Sequence, residues 1–171
     1  ALMATLYHRF EMIDPRLAET GVGWAFDQDG VAVVVIHVGG KQGKAPADPV
    51  VYPGDGQKEV PVEFGLGGRE TPDPVPDPKA SAGYPVTLQW PEKGWLPVGA
   101  TAVMKCDGKE IAAWVSTPEK PARSDWPTPD RVSLIPKEKL AAGKGYTVEF
   151  KCTRSDDKKE WTKSWSFTTA K

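Results

Sequence analysis

Proline and glycine punctuate this chain too often for long helices. Each occurs seventeen times, so together they make up 34 of 171 residues. That density favours turns and short strands over a helical bundle. The apolar runs between these breaks are strand-sized, and the longest spans residues 31–38. None reaches the length that spans a bilayer. Twenty-two basic and 23 acidic residues leave a net charge of −1, which gives no electrostatic reason to expect nucleic acid as a partner. An 18.6 kDa chain is long enough to bury one or two cores.

Read in order, residues 1–14 have a helical pattern. Leu2, Leu6, Phe10 and Ile13 recur at helical spacing, and Met3 and Tyr7 widen the stripe. The "DPRL" at residues 14–17 should end the helix, because the residue before a proline is pushed out of the helical region. Two strands follow, "GVGWAF" and "VAVVVIHVG", joined by the turn-forming "DQDG". Residues 41–49 read as a linker and residues 69–83 as a proline-rich, extended insert. Between them, "VVYPGDGQKEVPVEF" reads as a short edge strand interrupted by a turn, and from Tyr84 onward the pattern is β throughout. Val86, Leu88 and Trp90 share one strand face, and so do Tyr146, Val148, Phe150 and Cys152. "DGK" at residues 107–109 marks a hairpin. A proline-marked corner with a short helical turn is expected after residue 136. Short strands with regular turn signals suggest a sandwich.

Two stretches resemble known families. "YHRFEMIDPRLAETGVGWAF…VAVVVIHVG" resembles the C-terminal part of the CAP superfamily, also called SCP or pathogenesis-related-1. Bacterial members carry a His-Arg pair on a helix, a proline turn, then a "vGvG" entering a central strand. His8, Arg9, Asp14, Pro15, Arg16, Leu17 and residues 21–23 match in order. "VYPGDGQKEVPVEF…VSLIPKEKLAAGKGYTVEF…WSFTT" resembles a bacterial Ig-like domain of surface and secreted proteins. The resemblance implies a mainly β chain: residues 1–40 as a helix-plus-hairpin remnant of a CAP α-β-α sandwich, and residues 50–171 as an Ig-like β-sandwich. In the CAP family that histidine lines a cavity with another histidine and two glutamates from earlier segments. His8, with Glu11 one turn on, is therefore a cavity or metal candidate only with such partners. The resemblance implies that the N-terminal half of the CAP domain, or another protein chain, supplies them. It also implies a divalent metal in the complete domain, although no cofactor is expected within this chain alone. Without those partners, a partly buried histidine bonded to backbone is the preferred reading of His8.

Other candidates are weaker. Cys106 and Cys152 lie 46 positions apart at the ends of expected core strands. They read either as a disulfide, worth roughly 3–4 kcal/mol by the loop-entropy model, or as two buried thiols. Trp95, Trp126 and Trp161 lie near proline, glycine or charged residues. Exposed there, they could stack on sugars or anchor a partner, and the preferred alternative is that they pack over loop bases. His37 lies in an apolar strand and reads as a core histidine. No nucleophile–base constellation or "GxSxG" elbow occurs. The function expected is an exported, non-enzymatic binding or scaffold module, placed extracellularly, in the periplasm or at the cell surface. The alternatives are the tail of a CAP protein whose cavity binds a lipid or metal or hydrolyses a substrate, and a subunit of a surface assembly docking through the CAP-like part.

Overall fold

A computed structural model describes residues 2–65, 70–76, 81–91, 94–122 and 128–171. The chain is mainly β, with several sheets. A 3-10 turn, Leu2–Ala4, leads into α1 (Tyr7–Met12), shorter than the fourteen-residue pattern suggests. Its end falls where expected, just before the Asp14–Pro15 step. There Asp14 accepts from the Arg16 backbone N–H and guanidinium at 2.8–3.1 Å. Strands β1 (Gly21–Phe26) and β2 (Ala32–His37) form a separate two-stranded antiparallel sheet. The Asp27 carboxylate accepts the Asp29 and Val31 N–H groups, and Gly30 takes a positive φ of 78° that suits the tight turn. Residues 41–43 then run back beside residues 16–18, closing the base of the hairpin through Leu17–Gln42.

Two larger sheets follow. β3 (Val50–Tyr52), β5 (Val86–Gln89), β9 (Arg131–Pro136) and β8 (Ala113–Ser116) form one, in the order β3-β5-β9-β8. The other runs β4-β11-β10-β6-β7, with β4 (Gln57–Val60), β6 (Pro97–Cys106), β7 (Lys109–Glu110), β10 (Gly145–Arg154) and β11 (Glu160–Thr169). The short opening strand breaks after Tyr52, so β3 joins one sheet and β4 joins the other, parallel to β11. The "DGK" hairpin forms, but β7 is only two residues long, and the chain then crosses to the opposite sheet as β8. The corner after residue 136 consists of bends and turns with no helix.

The inward faces of the two sheets share one core. Val86, Leu88 and Leu134 meet Met104, Val148 and Phe150 from the other side, all essentially inaccessible. Strand alternation puts Tyr146, Val148, Phe150 and Cys152 inward, as their period-2 spacing requires. At one end of the core, Trp90, Trp95, Trp161 and Phe150 pack with ring centroids 5.3–6.2 Å apart. Trp95 is buried and Trp161 half-buried against this core. Both pack inward, in line with the packed reading preferred from the sequence over exposed contacts, because aromatic area is worth more inside the core. Trp126 lies outside the described residues.

α1 covers the outer face of the four-stranded sheet. Leu6, Arg9 and Phe10, spaced i, i+3 and i+4, are its buried positions. Leu6 and Phe10 form a second apolar cluster with Phe64, Val75, Ala82 and Ile135. Phe64, Val75 and Ala82 lie within or beside the proline-rich insert, which therefore packs onto the same sheet face. The outward polar residues Thr87, Gln89 and Ser133 are buried as well. Arg9 is completely inaccessible. Its guanidinium carbon lies 4.8 and 4.7 Å from the rings of Tyr52 and Tyr84. Its Nε and Nη1 donate to the Met3 and Pro85 carbonyls, and Tyr84 Oη donates to Met3 O. Burial lowers the Arg9 pKa, and the two tyrosines partly offset this.

Arg9→Ala would leave the buried Pro85 carbonyl without its donor, take one of two donors from the Met3 carbonyl, and open a cavity between two rings. A loss of about 2–5 kcal/mol is expected in urea unfolding. Arg9→Lys should recover less than half of it, because an ammonium cannot reproduce the planar fork between two rings. An Arg9→Ala midpoint equal to wild type would contradict this packing role.

Candidate functional site

The opposite face of α1 carries His8 and Glu11, one turn apart and both exposed. Beside them lies Glu70, whose side chain is 3% exposed. The Glu70 carboxylate accepts the backbone N–H groups of Leu6, Tyr7 and His8 at the start of the helix, the latter two at 2.8–3.0 Å. These are donors that a helix N-terminus leaves without an internal partner. The charge also sits favourably at that end of the helix dipole. His8 Nδ1 lies 2.8 Å from Glu70 Oε1. The His8 side chain remains 60% exposed. His8 is thus bonded to a carboxylate from the sandwich, where the sequence suggests backbone. Arg131, the first residue of β9, stacks over Phe10 at 4.9 Å and reaches Glu11 at 3.3 Å.

Two grooves meet at His8. One, of about 410 Å³, is bounded by Tyr7, Glu11, Glu70, Thr71 and Arg131. The other, of about 380 Å³, runs between Leu2 and Met12 on the helix side and Val34, Ile36 and Val38 on the hairpin. The hairpin has two apolar faces. By register and alternation, Val22, Trp24, Phe26, Val34 and Ile36 share one face, and Val33 and Val35 share the other with Gly21, Gly23 and Ala25. Neither face is covered: Trp24 is 69% exposed, Phe26 68%, and Val22, Val33, Val34 and Val35 are all exposed. His37, on the smaller face, is exposed as well, because no layer lies over its strand.

Among the described residues there is no group of three or more His, Cys, Asp and Glu side chains placed to hold a metal ion. His8 and Glu11 would bring two donors from one helix face, and a zinc-type site needs three or four. The described residues alone therefore do not fit the divalent metal that the CAP resemblance implies.

The cysteines are free thiols. Cys106 pairs across strands with Tyr146, and Cys152 lies six residues further along β10. At about 3.3 Å per residue that separation is roughly 20 Å, far beyond the ~7 Å limit for a disulfide. The disulfide reading is corrected: the two residues sit at opposite ends of neighbouring strands. Burial pushes the Cys152 thiol up to about 11, with Glu119 adding to the shift and Arg154 opposing it.

No helix is long and apolar enough to cross a membrane among the described residues. No family model matches this chain, and no curated protein matches it.

Two outcomes follow for the cysteines. The intact mass should be the same with and without reductant. A loss of two hydrogens reversed by reductant would contradict the free thiols. The folded state also holds the Cys152 proton to a higher pH than the unfolded state does. Stability should therefore fall as pH rises from about 9 to about 11. Cys152→Ala should flatten that slope in denaturation at stepped pH, and an unchanged slope would contradict it.

Proposed function

We propose that this chain is a non-enzymatic, exported binding or scaffold module. In this reading an Ig-like sandwich carries the C-terminal part of a CAP-like domain and presents its hairpin to a covering polypeptide. The observation that carries the reading is the bare hairpin. A two-stranded sheet is marginal in water by itself, and one with apolar residues on both faces belongs in the middle layer of a sandwich. Patches of this kind mark interaction surfaces. The strand order β3-β5-β9-β8 against β4-β11-β10-β6-β7 supports the Ig-like part, since it keeps two sheets, antiparallel except for the β4–β11 pair, and the crossing pattern of that architecture. The covering layers are the N-terminal part of a CAP domain or another chain, and α1 and its sandwich hold the hairpin ready for them. Export rests on the two resemblances, and the free thiols add nothing to it.

A second reading draws on the oriented His8. In it the chain is the tail of a CAP protein whose complete cavity, closed by the same covering layers, binds a lipid or metal or hydrolyses a substrate.

A photoreactive phenylalanine analogue at position 26, in protein produced from its native gene, tests the docking reading. Irradiation should join the hairpin to a covering segment or chain. Val34→Lys should remove most of that product. The same variant should change the stability of the isolated chain by no more than about 0.5 kcal/mol, because Val34 is exposed there. A hairpin that stays uncrosslinked and fully reactive toward water would contradict the proposal.

A further inference from the structure

His8 Nδ1 has two neighbours, and both are acceptors. Glu70 lies 2.8 Å away, and its two oxygens already take three backbone N–H groups. A carboxylate receiving that many donors offers lone pairs and no proton. The second neighbour is the Thr5 hydroxyl oxygen at 3.4 Å. Thr5 uses its own proton on the Leu2 carbonyl at 2.6 Å. Nδ1 therefore has to carry hydrogen. In a neutral imidazole this leaves the lone pair on Nε2. Among the described residues Nε2 has no hydrogen-bond partner, and the ring lines both grooves.

We infer that Glu70 is a positioning residue for His8. From the buried end of the insert it fixes the imidazole as the Nδ1–H tautomer and presents Nε2 to the groove as a basic acceptor. The same carboxylate closes the first turn of α1, so ring orientation and helix docking are set by one group. This is the relation in which a carboxylate orients a histidine that acts through its other nitrogen. The ligand class is a molecule offering a hydrogen-bond donor, a hydroxyl or an ammonium, at the His8 end of the groove. The sandwich thereby becomes a contributor to the His8 site as well as its support. The inference goes beyond the docking proposal and does not rest on it, because a covered or an uncovered hairpin leaves the Glu70 contact in place.

The chain has two histidines, so nitrogen-15 long-range correlation spectra at mildly alkaline pH can assign both rings. His8 should show a protonated, pyrrole-type Nδ1 and a pyridine-type Nε2. The exposed His37 serves as internal reference, with the Nε2–H form that unrestrained histidine prefers. In Glu70→Gln one carboxamide oxygen cannot serve all four donors, and the His8 pattern should move toward that of His37. An Nε2–H or doubly protonated His8 in the folded wild-type chain would overturn the inference, and so would a His8 pattern unchanged in Glu70→Gln. Should Glu70→Gln undock α1, seen as collapse of the Leu6 to His8 amide dispersion, the wild-type tautomer alone decides.

Discussion

The molecule is organised around the way a six-residue helix is held on a sheet. A helix this short has little stability of its own. Its first-turn N–H groups are met by a buried carboxylate from a segment more than sixty residues away, and its central arginine is gripped between two tyrosines that belong to the sandwich. Both contacts draw on residues that only the folded sandwich brings to the helix. Once made, they turn Leu6 and Phe10 toward the sheet and leave His8 and Glu11 facing outward. The polarity of the helix surface is thus decided by Glu70 and Arg9, more than by helix propensity.

The same arrangement explains why the hairpin is bare. α1 and the insert around Val75 both pack on the outer face of the four-stranded sheet. The hairpin leaves from the far side of the Asp14–Pro15 turn and forms a sheet of its own, apart from both sandwich sheets. Apart from the end that borders Leu2 and Met12 through Ile36 and Val38, its apolar residues face water, an unfavourable state for a surface carrying Trp24, Phe26 and a run of valines. A covering layer would bury both faces and close the groove beside His8 in one step. Rigid attachment of α1 is what makes such a step specific, since the entropy of positioning the hairpin's base has already been lost.

Much of the architecture is legible in the residues. The alternation of Tyr146, Val148, Phe150 and Cys152 gives β10 its inward face. The "DQDG" turn gives the first hairpin, and the apolar run that follows it gives the second strand of that hairpin. The interlock is much harder to read. Glu70 sits in a proline-rich stretch with no periodicity, so nothing local marks it as the partner of His8. Arg9 carries a usable signal: it lies between Leu6 and Phe10 on the apolar stripe, where a charge has to find a buried partner. The cysteines mislead because strand ends look equivalent in sequence. Only the antiparallel register of β6 and β10 shows that Cys106 faces Tyr146. Trp95 and Trp161 turn inward, as the packed reading preferred, although polar neighbours alone say little about where such a ring goes.

Native-state hydrogen exchange tests this account most directly, because it compares the two parts of the N-terminal lobe within one sample of the isolated chain. The amides of Tyr7 to Met12 should be protected to nearly the level of β10, and those of β1 and β2 should exchange at least a hundredfold faster, reflecting local opening of an unsupported sheet. A hairpin as protected as the sandwich core in the monomer, or an α1 that exchanges as freely as the hairpin, would contradict the claim that Glu70 and Arg9 lock the helix while the sheet beside it stands uncovered.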